Sequence, residues 1–473
     1  MPFGDEFVWG TATAAYQIEG GVAEDGRGES IWDRFSHTPG NVAGGDTGDI
    51  ACDSYHRWAE DLALLEGLGA TGYRFSVAWP RVFPSGSGSS NPAGLDYYES
   101  LVDGLLNAGI RPFITLYHWD LPQGLQERGG WGSRDTAFYF ADYADRVVSR
   151  LGDRCHDWIT LNEPWVAAHV GHEQGRHAPG QRSLATALQA AHHLLLAHGL
   201  AVPRIRDVAA DSRVGITLNL SPVHAATASS ADEDAAARAD GYYNRWYLEP
   251  LFRGAYPPDM WESYGESGDD STGGGRQLAL ALERDPPPGA CPFMEEDDLE
   301  RIAAQLDFLG VNYYFRTVVE AGDGHATLGF SQCAAREGEQ AGPATAMGWE
   351  VYPDGLGELL LRVHGDYGPL PLYVTENGAA FDDAANDSDF VDDADRIGFL
   401  RDHLQVLQEA RSSGADVRGY FAWSLLDNFE WAYGYAKRFG LVRVDFGSLQ
   451  RTPKASYRWY QRCIASDGAE LDR

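Results

Sequence analysis

Thr160-Leu161-Asn162-Glu163-Pro164 and Tyr373-Val374-Thr375-Glu376-Asn377-Gly378 each set one glutamate at the end of a short apolar, β-branched run. Both read as strands that stop on a carboxylate. The two segments lie far apart in the chain. In a closed parallel α/β barrel, however, the C-terminal ends of all strands meet at one mouth, and that mouth is where such folds do chemistry. The pair therefore argues for a barrel and for a site built on two carboxyl groups.

Further strand candidates extend outward from these two. The apolar or β-rich runs are 7–11, 72–76, 111–116, 157–161, 213–218, 308–311, 372–375 and 418–423. Amphipathic helical patterns over 59–68, 97–108, 138–151, 184–197 and 396–411 separate most of them. Strands alternating with helices imply a parallel sheet, and eight such units imply closure into a (β/α)8 barrel with extended βα loops. Segments 84–94, 267–275 and 382–395 read as loops. No linker divides the 473 residues and no fixed-period repeat appears, so residues 1–473 are expected to form one barrel domain.

The residues at and just beyond each run are as informative as the run itself. Gln17 comes soon after the first, Arg74 lies in the second, and His118-Trp119-Asp120 succeeds the third. Asn162-Glu163 closes the fourth, Asn219 the fifth, and Asn312-Tyr313-Tyr314 the sixth. Glu376 ends the seventh, and Trp423 with Glu430-Trp431 comes at and after the eighth. Polar and aromatic side chains thus gather at the catalytic end of the barrel, a pattern that a purely structural barrel does not need. An isolated glutamate is by default a solvated surface residue. Glu163 and Glu376 depart from that default because each ends a predicted strand inside a longer motif. Two carboxyl groups flanking one glycosidic bond are the machinery of glycoside hydrolysis.

Composition narrows the partners. Acidic residues number 70 against 37 Lys plus Arg, a formal net charge of −33, and lysine occurs only at Lys437 and Lys454. Such a surface disfavours nucleic acid and anionic lipid, both polyanions. Two readings account for it: adaptation to a salty cytoplasm, where screening relieves self-repulsion, and a GC-rich genome that favours Arg over Lys. No basic region followed by a long apolar stretch opens the sequence, and no segment is long and apolar enough to cross a bilayer. The five scattered cysteines (Cys52, Cys155, Cys291, Cys333, Cys463) fit free thiols in a reducing compartment, so a cytoplasmic chain is expected. The Asn386-Asp387-Ser388 sequon would then go unused.

Two sets of histidines, His169/His172/His177 and His192/His193/His198, are close in sequence. No cysteine joins them, and His193 and His198 stand five apart, off the i, i+4 face that a helical metal pair uses. No metal is expected. The Gly-rich pieces at 86–88 and 273–275 do not form a phosphate-cradling strand–loop–helix, so no nucleotide cofactor is expected either.

The motifs together resemble glycoside hydrolase family 1, the retaining β-glucosidases. The resemblance runs from about Phe7 to Trp459. It is carried by Phe7-Val8-Trp9-Gly10-Thr11-Ala12-Thr13-Ala14-Ala15-Tyr16-Gln17-Ile18-Glu19-Gly20, Tyr73-Arg74-Phe75-Ser76, Thr115-Leu116-Tyr117-His118-Trp119-Asp120-Leu121-Pro122, Met347-Gly348-Trp349-Glu350 and Ala422-Trp423-Ser424, in order. It implies a TIM barrel with Glu376 as nucleophile and Glu163 as acid/base. It also implies Asn162 at the sugar 2-hydroxyl, and Arg74 and Tyr314 holding the nucleophile. Gln17, His118, Trp119, Glu430 and Trp431 would bind the 3-, 4- and 6-hydroxyl side, over Trp423 as a stacking floor. Asn219, Asn312 and Phe439 would act as wall or support, and Trp349 as a platform for the leaving group.

A retaining mechanism requires the carboxyl groups about 5–5.5 Å apart. Arg74 and Tyr314 are expected to lower the pKa of Glu376, and a nearby carboxylate in a partly dry pocket to raise that of Glu163. Members of the family acting on 6-phosphorylated sugars resemble one another in a Ser where Glu430 stands, followed by a Lys and a Tyr. Here the residues are Glu430, Lys437 and Phe439, and an anionic Glu430 would repel phosphate. The expected substrates are therefore neutral β-glycosides and oligosaccharides with a terminal β-D-glucosyl unit. A β-galactosidase or β-fucosidase is the alternative, and a non-hydrolytic sugar-binding barrel a third reading that the presence of both glutamates disfavours.

Overall fold

All eight predicted strands form. The computed structural model describes residues 2–266, 293–339, 341–386 and 390–472. Its barrel strands are β1 (Val8–Ala12), β2 (Gly72–Ser76), β3 (Arg111–Tyr117), β4 (Asp157–Asn162), β5 (Arg213–Asn219), β6 (Phe308–Asn312), β7 (Leu372–Asn377) and β8 (Val417–Trp423). Each pairs in parallel with its chain neighbours, and β8 returns to β1 through Val8↔Gly419 to Ala12↔Trp423, closing the barrel. β1, β2, β4, β6 and β7 are buried along their whole length. That burial comes from a sheet with helices outside and side chains filling the inside, which explains why the strands read as short continuous runs.

The lower interior is packed by a few large rings set against glycine. Phe421 lies 4.9 Å from Phe113, and Tyr373 5.3 Å from both Phe113 and Phe308. A Cβ on Gly10 would meet the Phe421 ring at 2.5 Å, and one on Gly215 would meet Phe308 at 2.5 Å. These glycines are therefore close-approach positions where the interior trades backbone for ring volume. Beneath the rings Asp157 takes both Arg111 (2.5 and 2.6 Å) and Arg213 (2.9 and 2.9 Å), tying β3, β4 and β5 at their N-terminal ends.

The helices run longer than their amphipathic cores predict. Ser54–Leu68, Pro92–Asn107, Asp135–Leu151, Leu184–Val208 and Ala394–Ser412 cover the barrel wall. Segment 84–94, expected as loop, gives its last three residues to a helix. Pro92 occupies the first turn, where its missing N–H costs nothing and its fixed φ suits the helix. Segment 382–395 likewise ends inside the helix starting at Ala394, while 267–275 lies outside the described residues. The long connections after β5 and β6 together add a small sheet above the mouth, with Val223–Ala225 from the first beside Thr317–His325 and then Phe330–Cys333 from the second. Among the described residues no helix is long and apolar enough to cross a membrane, and Cys52, Cys155, Cys333 and Cys463 are free thiols.

One of the two lysines, Lys454, is fully buried between Asp383 and Asp427, with Nζ 2.7 Å from Asp427 Oδ1. Arg396 pairs with Asp383 at 2.9 Å and with Asp393, and Arg438 reaches Asp427 at 2.8 Å. The network ties the loops after β7 and β8 to the C-terminal helix Ala455–Ala465. The Lys454 ammonium acts here as a compact point donor shared by two carboxylates. Lys454→Met takes the shared cation from two buried carboxylates, leaving Asp383 with Arg396 alone and Asp427 with Arg438 alone. It is expected to cost about 3–5 kcal/mol of stability, read as a lowered urea midpoint at unchanged slope.

Candidate active site

Strand register brings the carboxylates together. Asn312 at the end of β6 stands opposite Glu376 on β7 and opposite Asn219 on β5, while Asn162 on β4 faces Thr217 on β5. Glu163 comes directly after β4, its N–H donating to Thr217 O at 2.9 Å. The Asn312 amide donates to Glu163 Oε1 at 2.6 Å and also lies against Glu376. A cavity of about 580 Å³ opens at this end of the barrel. All the site residues predicted from sequence line it except Gln17, Arg74 and Asn162, which stand directly behind its wall.

Those three act through what they touch. Arg74 Nη1 donates to Glu376 Oε1 at 2.6 Å and Nη2 to Asn162 Oδ1 at 2.6 Å. The Tyr314 hydroxyl donates to the other oxygen of Glu376, also at 2.6 Å. Asn162 Oδ1 further accepts from Asn312 at 3.1 Å, and its Nδ2 lies 3.0 Å from His118 Nε2. Gln17 Nε2 donates to Asn428 Oδ1 and to Phe429 O, and reaches Glu430 Oε2 at 3.4 Å.

The two carboxyl groups sit in unequal surroundings. Burial, and next the Glu376 charge, push Glu163 up to about 8. Burial also lifts Glu376 above its ordinary value, against the pull of Arg74, Tyr314 and Asn312. Arg74 and Tyr314 both lower Glu376 as expected, but removal from water, which the sequence did not show, outweighs them. With a guanidinium and a phenol on Glu376 and only an amide on Glu163, the pair keeps its shared proton on Glu163. Burial and the Glu376 charge also raise Glu430, to about 8. Burial holds His118 neutral, well below its usual range.

Aromatic rings build the rest of the wall. His118 lies near-parallel to Trp423 at 5.9 Å and to Trp431 at 5.8 Å, and Trp119 packs 4.6 Å from Trp431. Behind Trp431 stands Trp32, fully buried at 4.6 Å, on a short helix whose Ser30/Asp33 capping box is held by Arg27. Phe439 packs 6.2 Å from both Tyr314 and Trp349 on the outer side. Three mouth residues, Trp119, Glu163 and Trp431, adopt left-handed φ of +78°, +48° and +47°. Each costs roughly 1–2 kcal/mol for a residue with a Cβ, and such strain concentrates at functional sites. No sequence pattern announces it.

The histidine sets are wired into the scaffold. His169 pairs with Glu173 at 2.7 Å, and His192 bridges Tyr256 and Asp298 at 3.0 Å each. His172 donates to Ala167 O, His193 to Trp131 O, and His198 lies 2.7 Å from Thr160 Oγ1. His177 is different: it packs on Trp119 and lines the cavity, a role its sequence position gave no sign of. Among the described residues no group of three or more His, Cys, Asp or Glu is placed to hold a metal ion. Sequence reasoning also missed Trp165, Tyr243, Phe330 and Gln332 on the outer wall. Trp165 stands two residues after Glu163 and could have been found. The others sit on long connections without periodicity.

The sequence model described as Glycosyl hydrolase family 1 matches residues 1–469. The chain belongs to this family. As a family 1 member it is similar to Beta-glucosidase A of Acetivibrio thermocellus, 45% identical with 99% of each chain covered. It is also similar to the bifunctional beta-D-glucosidase/beta-D-fucosidase of Bifidobacterium breve, at 45% identity and again 99% of each. Among solved structures, the family 1 β-glucosidase of Thermotoga maritima superposes with a TM-score of 0.90 at 43% identity, covering 99% of both chains. The barrel read from sequence is the family 1 fold.

Proposed function

We propose that this family 1 chain is a retaining β-glucosidase that removes terminal β-D-glucosyl residues from neutral glycosides by double displacement. One observation carries the reading. Two carboxyl groups at the ends of β4 and β7 face one cavity, Glu376 held at both oxygens by Arg74 and Tyr314 and Glu163 held by the Asn312 amide alone. Glu376, held at both oxygens, attacks the anomeric carbon as Glu163 gives its proton to the departing oxygen. A glycosyl ester then takes the charge off Glu376. The Glu376 charge, which after burial does most to raise Glu163, is gone, so Glu163 gives up its proton more readily and then accepts one from water as that water attacks the same carbon. Glucose leaves with its β configuration, and both carboxyl groups return to their starting states.

Recognition of the sugar fits the same frame. Gln17 Oε1 and His118 Nδ1 are buried without a partner among the described residues. With Glu430 they supply the polar atoms that ring hydroxyls require. Trp423 and Trp431 offer flat faces to the C–H side of the ring. The expectation of an anionic Glu430 is corrected, since burial lifts it to about 8 and leaves it largely neutral at neutral pH; what disfavours a phosphate is that the Lys437 ammonium, the one cation the phosphoglycoside pattern would need, donates instead to Ala346 O. Initial rates on nitrophenyl β-glucoside, β-fucoside, β-galactoside and β-glucoside 6-phosphate test this. The glucoside is expected to be best. Fucoside turnover is expected by likeness to the bifunctional relative, and the phosphorylated glycoside should be inert. Preference for the phosphorylated glycoside, or no turnover of the glucoside, would overturn the reading.

A further inference from the structure

Asp120 is a buried acid that the proposed cycle leaves unused. It follows Trp119 directly, is 1% exposed, and neither of its carboxyl oxygens has a partner among the described residues. Its place in the chain joins two walls of the site. On one side, Trp119 takes its left-handed φ and donates from Nε1 to Asn162 O at 2.9 Å. On the other, Leu121 O accepts from Ile31 N at 2.8 Å, at the first turn of the helix Ile31–Ser36 that carries Trp32 behind Trp431. A displacement at Asp120 would reach both walls.

The cations that could neutralise an Asp120 carboxylate are already committed. The charged and titratable side chains bearing on it are Arg27, Glu19 and Asp33, with the phenols of Tyr117 on β3 and Tyr143 on the helix Asp135–Leu151. Arg27 donates to Asp33 at 2.8 Å and to Val22 O and Gly28 O. Glu19 is held by Arg81 at 3.0 Å and by the Tyr98 hydroxyl at 2.7 Å. Tyr143 donates to Val77 O and Leu116 O, while the Tyr117 oxygen accepts from Trp131. Asp33 and Glu19 thus pair one to one with Arg27 and Arg81. An ionised Asp120 would leave this buried cluster with one negative charge too many. A buried carboxylate without a partner is costly, and the usual relief is to keep the proton. Burial accordingly raises Asp120 to about 8.

We infer that Asp120 is a positioning residue that works as a neutral acid: its carboxyl keeps its proton through neutral pH, and in that form the joint holds Trp119 and Trp32 in place. The effect on sugar binding rests on the β-glucosidase reading, whereas the protonation state does not. Infrared spectra of protein carrying carbon-13 aspartate test the state directly, because the isotope shift separates aspartic from glutamic C=O bands. A protonated aspartic C=O band is expected at neutral pH, fading as pH passes about 8 and missing from Asp120→Asn and Asp120→Leu. Asp61, also raised by burial, is hydrogen-bonded to Arg451 and Ser54, so a band from it would fall at lower frequency. Both variants make the neutral form permanent. An acid raised only in the fold costs stability as pH climbs from the ordinary value of about 3.9 towards about 8. The variants' thermal midpoints should therefore gain about 3 °C or more on the wild type between about pH 5 and about pH 8. The wild-type-to-variant ratio of KM for nitrophenyl β-glucoside should rise about threefold to fivefold from about pH 6 to about pH 9, the worth of one net hydrogen bond. Absence of the band at neutral pH, a midpoint gap that does not widen, or failure of both neutral stand-ins to fold overturns the neutral acid. The band with a KM ratio unmoved by pH overturns the positioning role. Absence of nitrophenyl glucoside turnover overturns the glucosidase reading, and with it the binding effect, while band and midpoint still decide the state of Asp120.

Discussion

Glu376→Gly is expected to lower hydrolysis of nitrophenyl β-glucoside by about 10⁴-fold or more, the scale on which removal of a covalent nucleophile is felt. Stability should fall as well, because the buried Arg74 loses its carboxylate partner and keeps only neutral acceptors, Thr375 O at 3.1 Å and Asn162 at 2.6 Å. The vacated space lies on the face of the sugar opposite the leaving group. Azide added to this variant should enter there, attack the anomeric carbon once and displace nitrophenolate, giving the α-glycosyl azide. Product stereochemistry read by proton NMR decides the matter. A β-azide would mean that the attacking carboxylate lies on the other strand, and would exchange the roles proposed for Glu163 and Glu376.

Much of this site was legible because barrels impose a strict relation between sequence and space. A residue that ends a strand is at the mouth, so Asn162-Glu163, Asn312 and Thr375-Glu376 could be placed without coordinates. The strands themselves were found to within a residue or two, because burial on both faces gives continuous apolar runs. Helix ends were less legible. The helix expected to stop at Ala197 continues to Val208 through Pro203, since Ala201, Val202 and Ile205 are buried against the barrel and tertiary packing overrides the local break. The net upward shift of Glu376 was not legible either. Sequence shows which charges are neighbours, but it does not show how much water is lost, and here the water lost outweighs the neighbouring cation. The outer wall escaped for another reason. Tyr243 sits on one insertion and Phe330 and Gln332 on another, and only the fold puts them side by side.

Glu163→Ala is expected to separate substrates by leaving group. Nitrophenolate departs with little protonation, whereas the sugar oxygen of a disaccharide needs a full proton. Turnover of the disaccharide should therefore fall by about 10³–10⁴-fold, and bond cleavage in nitrophenyl glucoside by much less, the range general acid catalysis supplies. Asn312 remains satisfied by Asn162 at 3.1 Å, so the truncation leaves no buried donor stranded. Here azide reaches the glycosyl-enzyme from the side Glu163 vacates and gives the β-azide, the mirror of the Glu376→Gly result. The pH profile is a second, independent readout. The proposed cycle needs Glu163 protonated and Glu376 ionised. Glu163 carries its proton up to about 8, so wild-type kcat/KM falls about tenfold per unit above that pH. On the acid side the fall occurs as Glu376 takes up a proton, above the ordinary carboxylate value because burial raises it. Removing Glu163 must erase the alkaline limb and leave the acid limb in place, since a neutral Glu163 exerts no charge on Glu376 in that range. Persistence of the alkaline limb in the variant would assign it to another buried acid. Glu430 is also lifted to about 8 and would be the next to test.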